Sequence, residues 1–251
     1  LSHGITNSNI YRYTTMNKNI AATVIAIGLI GLGITLGLLM KQGISSISES
    51  KRTLAVKGLS EREVKANKVT WPVVYKVIGN DMQTIYNQIE ASNKIIISYL
   101  SENGLSAEDF TTSAPKVFDK QAERYSNDVV GTRFTATGVI IVTTDKVDLV
   151  RKLIQNQGEL MKKGVAISIS DYEYNTIYEY TDLNTIKPEM IAEATQKARE
   201  AAQKFADDSG SKVGKIMSAS QGQFSIDDRD PYTPFIKKVR VVTVINYSID
   251  D

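Results

Sequence analysis

Cysteine is absent from the 251 residues of this chain, and histidine and tryptophan occur only once each. Without cysteine the chain has no disulfide, no thiolate zinc site, no cysteine nucleophile and no lipid-modified cysteine anchor. The single histidine, His3, precedes a long apolar segment and lies outside the predicted folded domain. These absences remove the side chains on which most nucleophile–base catalysis depends.

Motifs for phosphate binding and the G-x-S-x-G motif of serine nucleophiles are also missing from the soluble part of the chain. There is no Walker pattern and no strand-linked G-x-G-x-x-G. We therefore predict no cofactor, no metal site and no catalytic activity. The alternative that stays open is a small-ligand-binding or carboxylate-based hydrolytic enzyme, because a fold can bring two carboxylates together from any sequence spacing.

The charge balance argues against one further class of partner. Lysine and arginine number 30 against 28 aspartates and glutamates, so the formal net charge is only +2. Nucleic-acid binding depends on a strongly basic surface. We therefore predict no nucleic-acid partner.

The longest uncharged segment is IAATVIAIGLIGLGITLGLLM, which runs from Ile20 to Met40 between Lys18 and Lys41. Its length matches the roughly 20 residues that a helix needs to cross a bilayer. A cleavable signal peptide starting at Met16 is the rival interpretation. The segment is longer than the roughly 7–15 apolar residues of a signal peptide, and no A-x-A cleavage site follows it. We predict an uncleaved transmembrane anchor at residues 20–40.

The flanking segments define the predicted domain organisation. Residues 1–19 are interpreted as an N-terminal tail, residues 41–52 as a polar, serine-rich linker and residues 53–251 as one folded domain. Within the anchor, Gly33 and Gly37 form a G-x-x-x-G pattern. Such a pattern lets two transmembrane helices pack closely, so these glycines are candidates for helix–helix packing.

Strand-like and helix-like periods alternate through the predicted domain. Strands are expected at Thr53 to Leu59 and at Val64 to Val77, the second broken by Pro72. A helix is expected from about Asp81, with Gly104 after its end. A strand at Thr112 to Phe118 and another at Arg133 to Thr143 are expected next. The last strand, Lys237 to Ile249, is apolar on both faces in its middle, which indicates a central position. The pattern predicts an α+β fold with a mixed or antiparallel sheet packed on helices.

Two later helices are predicted together with their boundaries. Asp145 is expected to cap the first of them. Pro188 suits the first residue of the second, which Gly210 ends. Its buried stripe is expected to consist of the following residues: Ile191, Ala194, Ala198, Ala201 and Phe205.

Residues 172–180, YEYNTIYEY, place four tyrosines on even positions, which share one face of an extended strand. The other face is mostly polar, so the tyrosine face is expected to be covered. Stacking on sugars or bases usually recruits tryptophan or arginine beside the rings, and neither occurs nearby. Core packing, a subunit interface and a ligand platform all remain open. The candidate interface residues are Tyr172, Tyr174, Tyr178 and Tyr180.

An acidic stretch, SIDDRDP, contains Asp227, Asp228 and Asp230. Three carboxylates could bind calcium, but their spacing differs from that of an EF-hand loop and Arg229 interrupts them. A solvated turn is the favoured interpretation.

Four long runs of the chain carry a resemblance to a known family: VKGLSEREVKANKVTWPVVY, LSENGLSAEDFTTSAP, DLNTIKPEMIAEATQKAREAAQKFADDSGSKVGKIMSASQGQFSI and TPFIKKVRVVTVINYSI. They resemble the bacterial SIMPL-domain family. The alanine-rich helix followed by DSGSKVGKI is the most specific part. The chain departs from many members at Ala66-Asn67, where they have Pro-Asp, and at Gly131-Thr132, where they have Gly-Tyr.

The resemblance implies an envelope protein whose domain lies outside the cytoplasmic membrane, with no assigned active site. It also implies ring-like oligomers and a part in stress tolerance. We therefore predict a single-pass protein of the cytoplasmic membrane with its C-terminal domain in the periplasm or outside the cell. It would form homo-oligomers and act as an envelope scaffold or binding module, for a ligand that the sequence does not identify.

Overall fold

The structure is a computed structural model that describes residues 23–40, 52–122, 131–168 and 173–250. Its first element is helix α1, Thr23–Met40, which is long and apolar enough to cross a membrane. The large apolar side chains of α1 are all exposed and none packs inside the folded domain. A membrane anchor and a signal sequence both have these properties. The predicted apolar helix is thus present, and its first residues, 20–22, lie outside the described part.

The elements that follow α1 confirm the α+β class. The strands described are β1 Thr53–Lys65, β2 Lys68–Gly79, β3 Phe110–Thr112, β4 Lys116–Asp119, β5 Phe134–Thr144, β6 Ile177–Glu179, β7 Lys212–Gln221, β8 Ser225–Asp228 and β9 Ile236–Asp250. The helices are α2 Met82–Glu102, α3 Val147–Gln155, α4 Gly158–Lys162 and α5 Leu183–Asp208, with a 3-10 turn at Ala107–Asp109. All the strand pairings between these elements are antiparallel.

A four-stranded sheet joins the two ends of the domain. Its order is β1-β9-β7, and β8 pairs with β9 beyond the end of β7. β9 therefore lies in the centre, as its apolar sequence predicts. Helix α5 covers one face of this sheet, with Val56, Ile245 and Tyr247 buried beneath it.

A five-stranded sheet has the order β3-β5-β2-β6, with β4 also paired to β5. The odd residues of β2 and the even residues of β5 face α2 and form the largest core. Ile85, Ile89 and Ile96 of α2 complete that core and are at most 3% exposed. The predicted strand around residues 112–118 is in fact two short strands, β3 and β4, both on β5.

The predicted strand break at Pro72 is wrong. Pro72 lies inside β2, and its nitrogen is directed away from β5. On that side of β2, Lys76 N–H donates to the carbonyl of Ala166, and the carbonyl of Val74 accepts from Ser168 N–H. The backbone polar groups of the even residues of β2 therefore point away from β5. A proline there removes no hydrogen bond to β5. The chain instead changes sheets at residues 66–67, between β1 and β2.

Hydrogen bonds at residues 66–67 tie the two sheets together. Ala66 N–H donates to the carbonyl of Phe235 at 2.9 Å, and Asn67 N–H donates to that of Glu179 at 2.9 Å. The Asn67 side chain also accepts from Thr181 N–H at 2.9 Å, just before α5. This turn therefore positions the starts of α5 and β9 relative to β2.

Helix α5 begins earlier than predicted and packs through a different stripe. It starts at Leu183, so Pro188 lies in its second turn rather than at its first residue. Leu183 and Ile186 pack against the core cluster that contains Met190, and this burial supports the additional turn. Phe205 was expected to be buried, but it is 60% exposed. The fully buried residues recur every four positions: Met190, Ala194, Ala198, Ala202 and Ala206.

The small side chains of this stripe permit a very close approach to β1. A Cβ added at Gly58 would lie 1.8 Å from the carbonyl oxygen of Ala194 and 2.5 Å from the nitrogen of Ala198. A phenylalanine on the buried face would not fit at this distance, which explains why Phe205 lies outside it.

Two helix boundaries can be compared with their predicted caps. The Asp81 carboxylate accepts from Thr84 N–H at 2.8 Å and caps α2, and Gly104 follows its end with a φ of 94°. The predicted cap at Asp145 is wrong. Helix α3 starts at Val147 after Lys146, with no side-chain cap, and Asp145 contributes only its backbone carbonyl to Val147 N–H.

Candidate functional site: the tyrosine segment and the outer sheet face

The tyrosine segment forms one edge of the five-stranded sheet. Tyr172 lies outside the described residues, and only Ile177–Glu179 is regular strand. Tyr178 pairs with Val69 and Ile177 with Thr70. From residue 173 to 180 the even positions are half-buried and the odd ones exposed, so the exposure alternates as predicted. The tyrosines do not share one face, however, because Tyr178 lies on the side of the sheet that faces α2 and Tyr174 lies beside Thr70 on the other side.

Tyr178 and Tyr180 contact the interior of the domain. The Tyr178 ring meets Phe235 edge-on, with centroids 6.2 Å apart, and the Arg151 guanidinium lies 3.4 Å from the centroid of Phe235. Burial raises the pKa of the Tyr178 phenol, which the nearby Arg151 charge opposes only partly. Tyr180 packs against the cluster beneath α5 that contains Met190. For these two residues the structure supplies the cover that the alternation predicts.

Tyr174 lies on the opposite side of the five-stranded sheet, away from α2. Lys116 Nζ is 5.3 Å from its ring centroid, and the same ammonium forms an ion pair with Glu173. The hydrogen bond to Glu173, followed by that to Tyr174, raises the pKa of Lys116. These contacts hold Tyr174 beside a groove of about 280 Å³ whose lining includes Thr70, Pro72, Ile141 and Ile177.

The groove belongs to a larger surface, which we call the outer face. It consists of the side chains of the five-stranded sheet that point away from α2. The antiparallel registers place Ile177 beside Thr70, and Phe118 beside Thr135, on this face. Ile177 is 55% exposed and Phe118 47% exposed. Sequence reasoning did not identify Ile177 as an exposed apolar residue. The available signal was that Ile177 is the only apolar residue among the odd positions of the tyrosine segment.

Gly33 and Gly37 lie four residues apart on the same side of α1. No atom lies within 4 Å of a Cβ added at either glycine. The surface of the helix is open at both positions, and their role in helix packing stays a prediction.

The acidic stretch is used within the chain. Asp230 accepts hydrogen bonds from the backbone N–H groups of Tyr232 and Thr233, both at 2.8 Å, and from Arg229 at 3.1 Å. Asp228 forms an ion pair with Lys237. Among the described residues no group of three acidic or histidine side chains could hold a metal ion. The favoured turn interpretation applies to Asp230, whereas Asp227 and Asp228 lie in strand β8 rather than in a turn.

These bonds predict a specific pH dependence of stability. The hydrogen bonds from Thr233 and Arg229 lower the pKa of Asp230 from 3.8 to about 2. A lowered pKa means that the carboxylate stabilises the fold fully above about pH 4, and that this contribution is lost as the pH falls towards 2. Asp230→Asn should therefore destabilise the domain at neutral pH, with the difference from wild type shrinking between pH 4 and 2 in denaturant titrations. Asp227→Asn is the control, and an equal pH profile for the two variants would contradict the assignment.

Three grooves lined by described residues can be compared with the carboxylate-based alternative. They have volumes of about 280 to 400 Å³, and the only acidic residue in any of their linings is Glu173. A glycosidase-type site requires two carboxylates flanking one bond. None of these three grooves has that arrangement.

Comparison with known proteins agrees with this architecture. Residues 54–240 match the family model described as "SIMPL: Protein of unknown function (DUF541)". The match covers the elements from β1 to β8, including α5, and the first five residues of β9. The chain therefore belongs to the SIMPL family. No curated protein matches it.

Proposed function

We propose that the protein is a single-pass protein of the cytoplasmic membrane whose SIMPL domain lies outside the cytoplasm, self-associates and acts as a non-catalytic scaffold or binding module of the cell envelope. The observation that carries the proposal is α1, an apolar helix of 18 residues with none of its surface buried by the domain. Family kinship supports the extracytoplasmic position and the part in stress tolerance.

Self-association is proposed to use the outer face, with a second copy of the chain as the occupant. Anchoring in one membrane confines the domains to a layer and raises their effective concentration. Tyr174, Ile177 and Phe118 present aromatic and aliphatic surface there, which is the composition that enriches interface cores. Tyr178 is excluded from this surface because its ring packs on Phe235. Gly33 and Gly37 would add a second contact within the bilayer.

The test is the mass of the full-length protein in lipid nanodiscs, measured by mass photometry. We expect a discrete oligomer for the wild type. The double variant Tyr174→Ser/Ile177→Ser should dissociate it at least about tenfold more readily, because two partly desolvated anchors are removed. Tyr232→Ser is the matched control, since Tyr232 is 91% exposed and lies in the turn after Asp230.

Two further measurements separate the parts of the proposal. Gly33→Ile/Gly37→Ile tests the contact between anchors in the same assay. Protease added to intact spheroplasts should cleave the domain if it faces outward. A monomer at all protein concentrations would refute self-association, and a protected domain would refute the extracytoplasmic location.

A further inference from the structure

A second groove lies between α5 and β7, on the four-stranded sheet. Helix α5 leans towards β1, where Gly58 contacts its backbone, and leaves the β7 side of the sheet less covered. Two irregularities in the register of β7, on either side of Ile216, also bend that strand. The resulting groove has a volume of about 300 Å³, within the range of small-ligand pockets. Its lining is Thr195, Arg199, Gln203, Val213, Gly214, Ile216 and Tyr247.

Arg199 supplies an unused positive charge at this groove. It forms no ion pair or hydrogen bond with any residue in the described ranges. The neighbouring lysines of the helix differ, because Lys197 pairs with Glu193 and Lys204 with Asp208. A guanidinium presents a planar fork of donors that matches a carboxylate better than an ammonium does.

Tyr247 supplies a second polar group without a partner. Its side chain packs against Ala198 and Ala202, and the residue is only 4% exposed. The hydroxyl makes no hydrogen bond to the described part of the chain, and yet it is not sealed from solvent. The hydroxyl of a tyrosine this deeply buried usually has a hydrogen-bond partner. Because the Tyr247 hydroxyl can donate into the groove, it indicates a place for the acceptor atom of a ligand.

The remaining lining limits the kind of acceptor. Val213 and Ile216 give one apolar wall, and Ile216 is 54% exposed. The acidic groups nearby are Asp207, which already accepts from the Gln203 amide at 2.8 Å, and Asp250, whose carboxylate lies beside Gly214. Inorganic phosphate would leave the apolar wall without contact, and a neutral alcohol would leave Arg199 unpaired.

We propose that the groove between α5 and β7 binds a small organic carboxylate, with its charged end on Arg199 and the Tyr247 hydroxyl and its short apolar body on Val213 and Ile216. This site lies on the four-stranded sheet, whereas the outer face belongs to the five-stranded sheet. It is therefore independent of the proposed self-association.

Hexanoate is the probe, and hexanol and inorganic phosphate are the matched controls. Binding is measured by equilibrium dialysis of the full-length protein in nanodiscs, with protein-free nanodiscs as the reference for partitioning into lipid. Saturable binding of hexanoate is expected, with binding of hexanol and phosphate weaker by about tenfold or more.

Three variants test the residues. Arg199→Gln should weaken hexanoate binding by about tenfold or more, and Tyr247→Phe by roughly threefold to tenfold. Lys204→Gln, which removes a charge from the same helix outside the groove, should leave the affinity unchanged. Thermal melts establish that each variant folds. Equal affinity for hexanol, or equal losses in Arg199→Gln and Lys204→Gln, would overturn the proposal, as would the absence of saturable binding. The oligomer mass of Arg199→Gln should equal that of the wild type.

Discussion

Gly58→Ala is expected to lower the free energy of unfolding by about 3 kcal/mol or more, the upper part of the range for overpacked cores. The new methyl carbon would lie 1.8 Å from a backbone oxygen of α5, so no side-chain rotation can relieve the contact. Helix and sheet would have to separate along the stripe that includes Ala194 and Ala198. Urea titration of the detergent-solubilised full-length protein, followed by far-UV circular dichroism, measures the loss.

The control for this substitution is Gly158→Ala, because no atom lies within 4 Å of an added Cβ there. Gly158 is the first residue of α4, where alanine is neutral or slightly favourable. If both variants had the same stability, the close approach of α5 to β1 would be wrong.

Gly138→Ala is the second substitution with a large expected effect, about 2–3 kcal/mol of destabilisation. Its added Cβ would lie 2.2 Å from a ring carbon of Tyr75, which covers the glycine from the neighbouring strand. Tyr75 cannot easily move away, because it is 1% exposed and its hydroxyl donates to Asn93 Oδ1 at 2.7 Å. Burial, and secondarily the Glu90 charge, raises the pKa of this phenol to about 12. The emission of Trp71, which lies 3% exposed in the same core, reports the unfolding.

A double-mutant cycle separates this clash from a general weakening of the strand. Tyr75→Leu removes the ring and is itself destabilising, through a cavity and an unpaired Asn93. In the Tyr75→Leu background, Gly138→Ala should cost at least about 1 kcal/mol less than in the wild type. Additive effects would show that the ring is not what excludes a side chain at position 138.

The sequence alone predicts those elements in which the hydrophobic period and the boundary residues indicate the same structure. The α2 boundaries follow from Asp81 and Gly104, and the central place of β9 follows from its apolar faces. The α5 stripe could not be predicted correctly, because alanine is compatible with either side of a helix. Ala202 is buried against Val56, Ile245 and Tyr247 of two strands that are distant in sequence, and the helical period of α5 does not encode that contact.

The candidate sites were predictable to different degrees. Alternation predicts that even-numbered tyrosines are covered, but it does not tell whether their own domain or another chain covers them. The Tyr178 ring is covered by Phe235, and the Tyr174 ring is contacted by Lys116. Both partners are distant in sequence. The groove beside Arg199 had no sequence signal, because it arises from the lean of a helix and the bulges of a strand.

The pairing of β1 with β9 has a consequence for the timing of folding. Thr53 pairs with Ser248, a separation of 195 residues along the chain. At about 5–20 residues synthesised per second, β1 waits roughly 10–40 s before its partner exists. The five-stranded sheet and its helices are complete in sequence before that moment, whereas the four-stranded sheet cannot close. During biosynthesis β1 is therefore an unpaired strand at the start of the domain, and a chaperone that shields it would act in this interval.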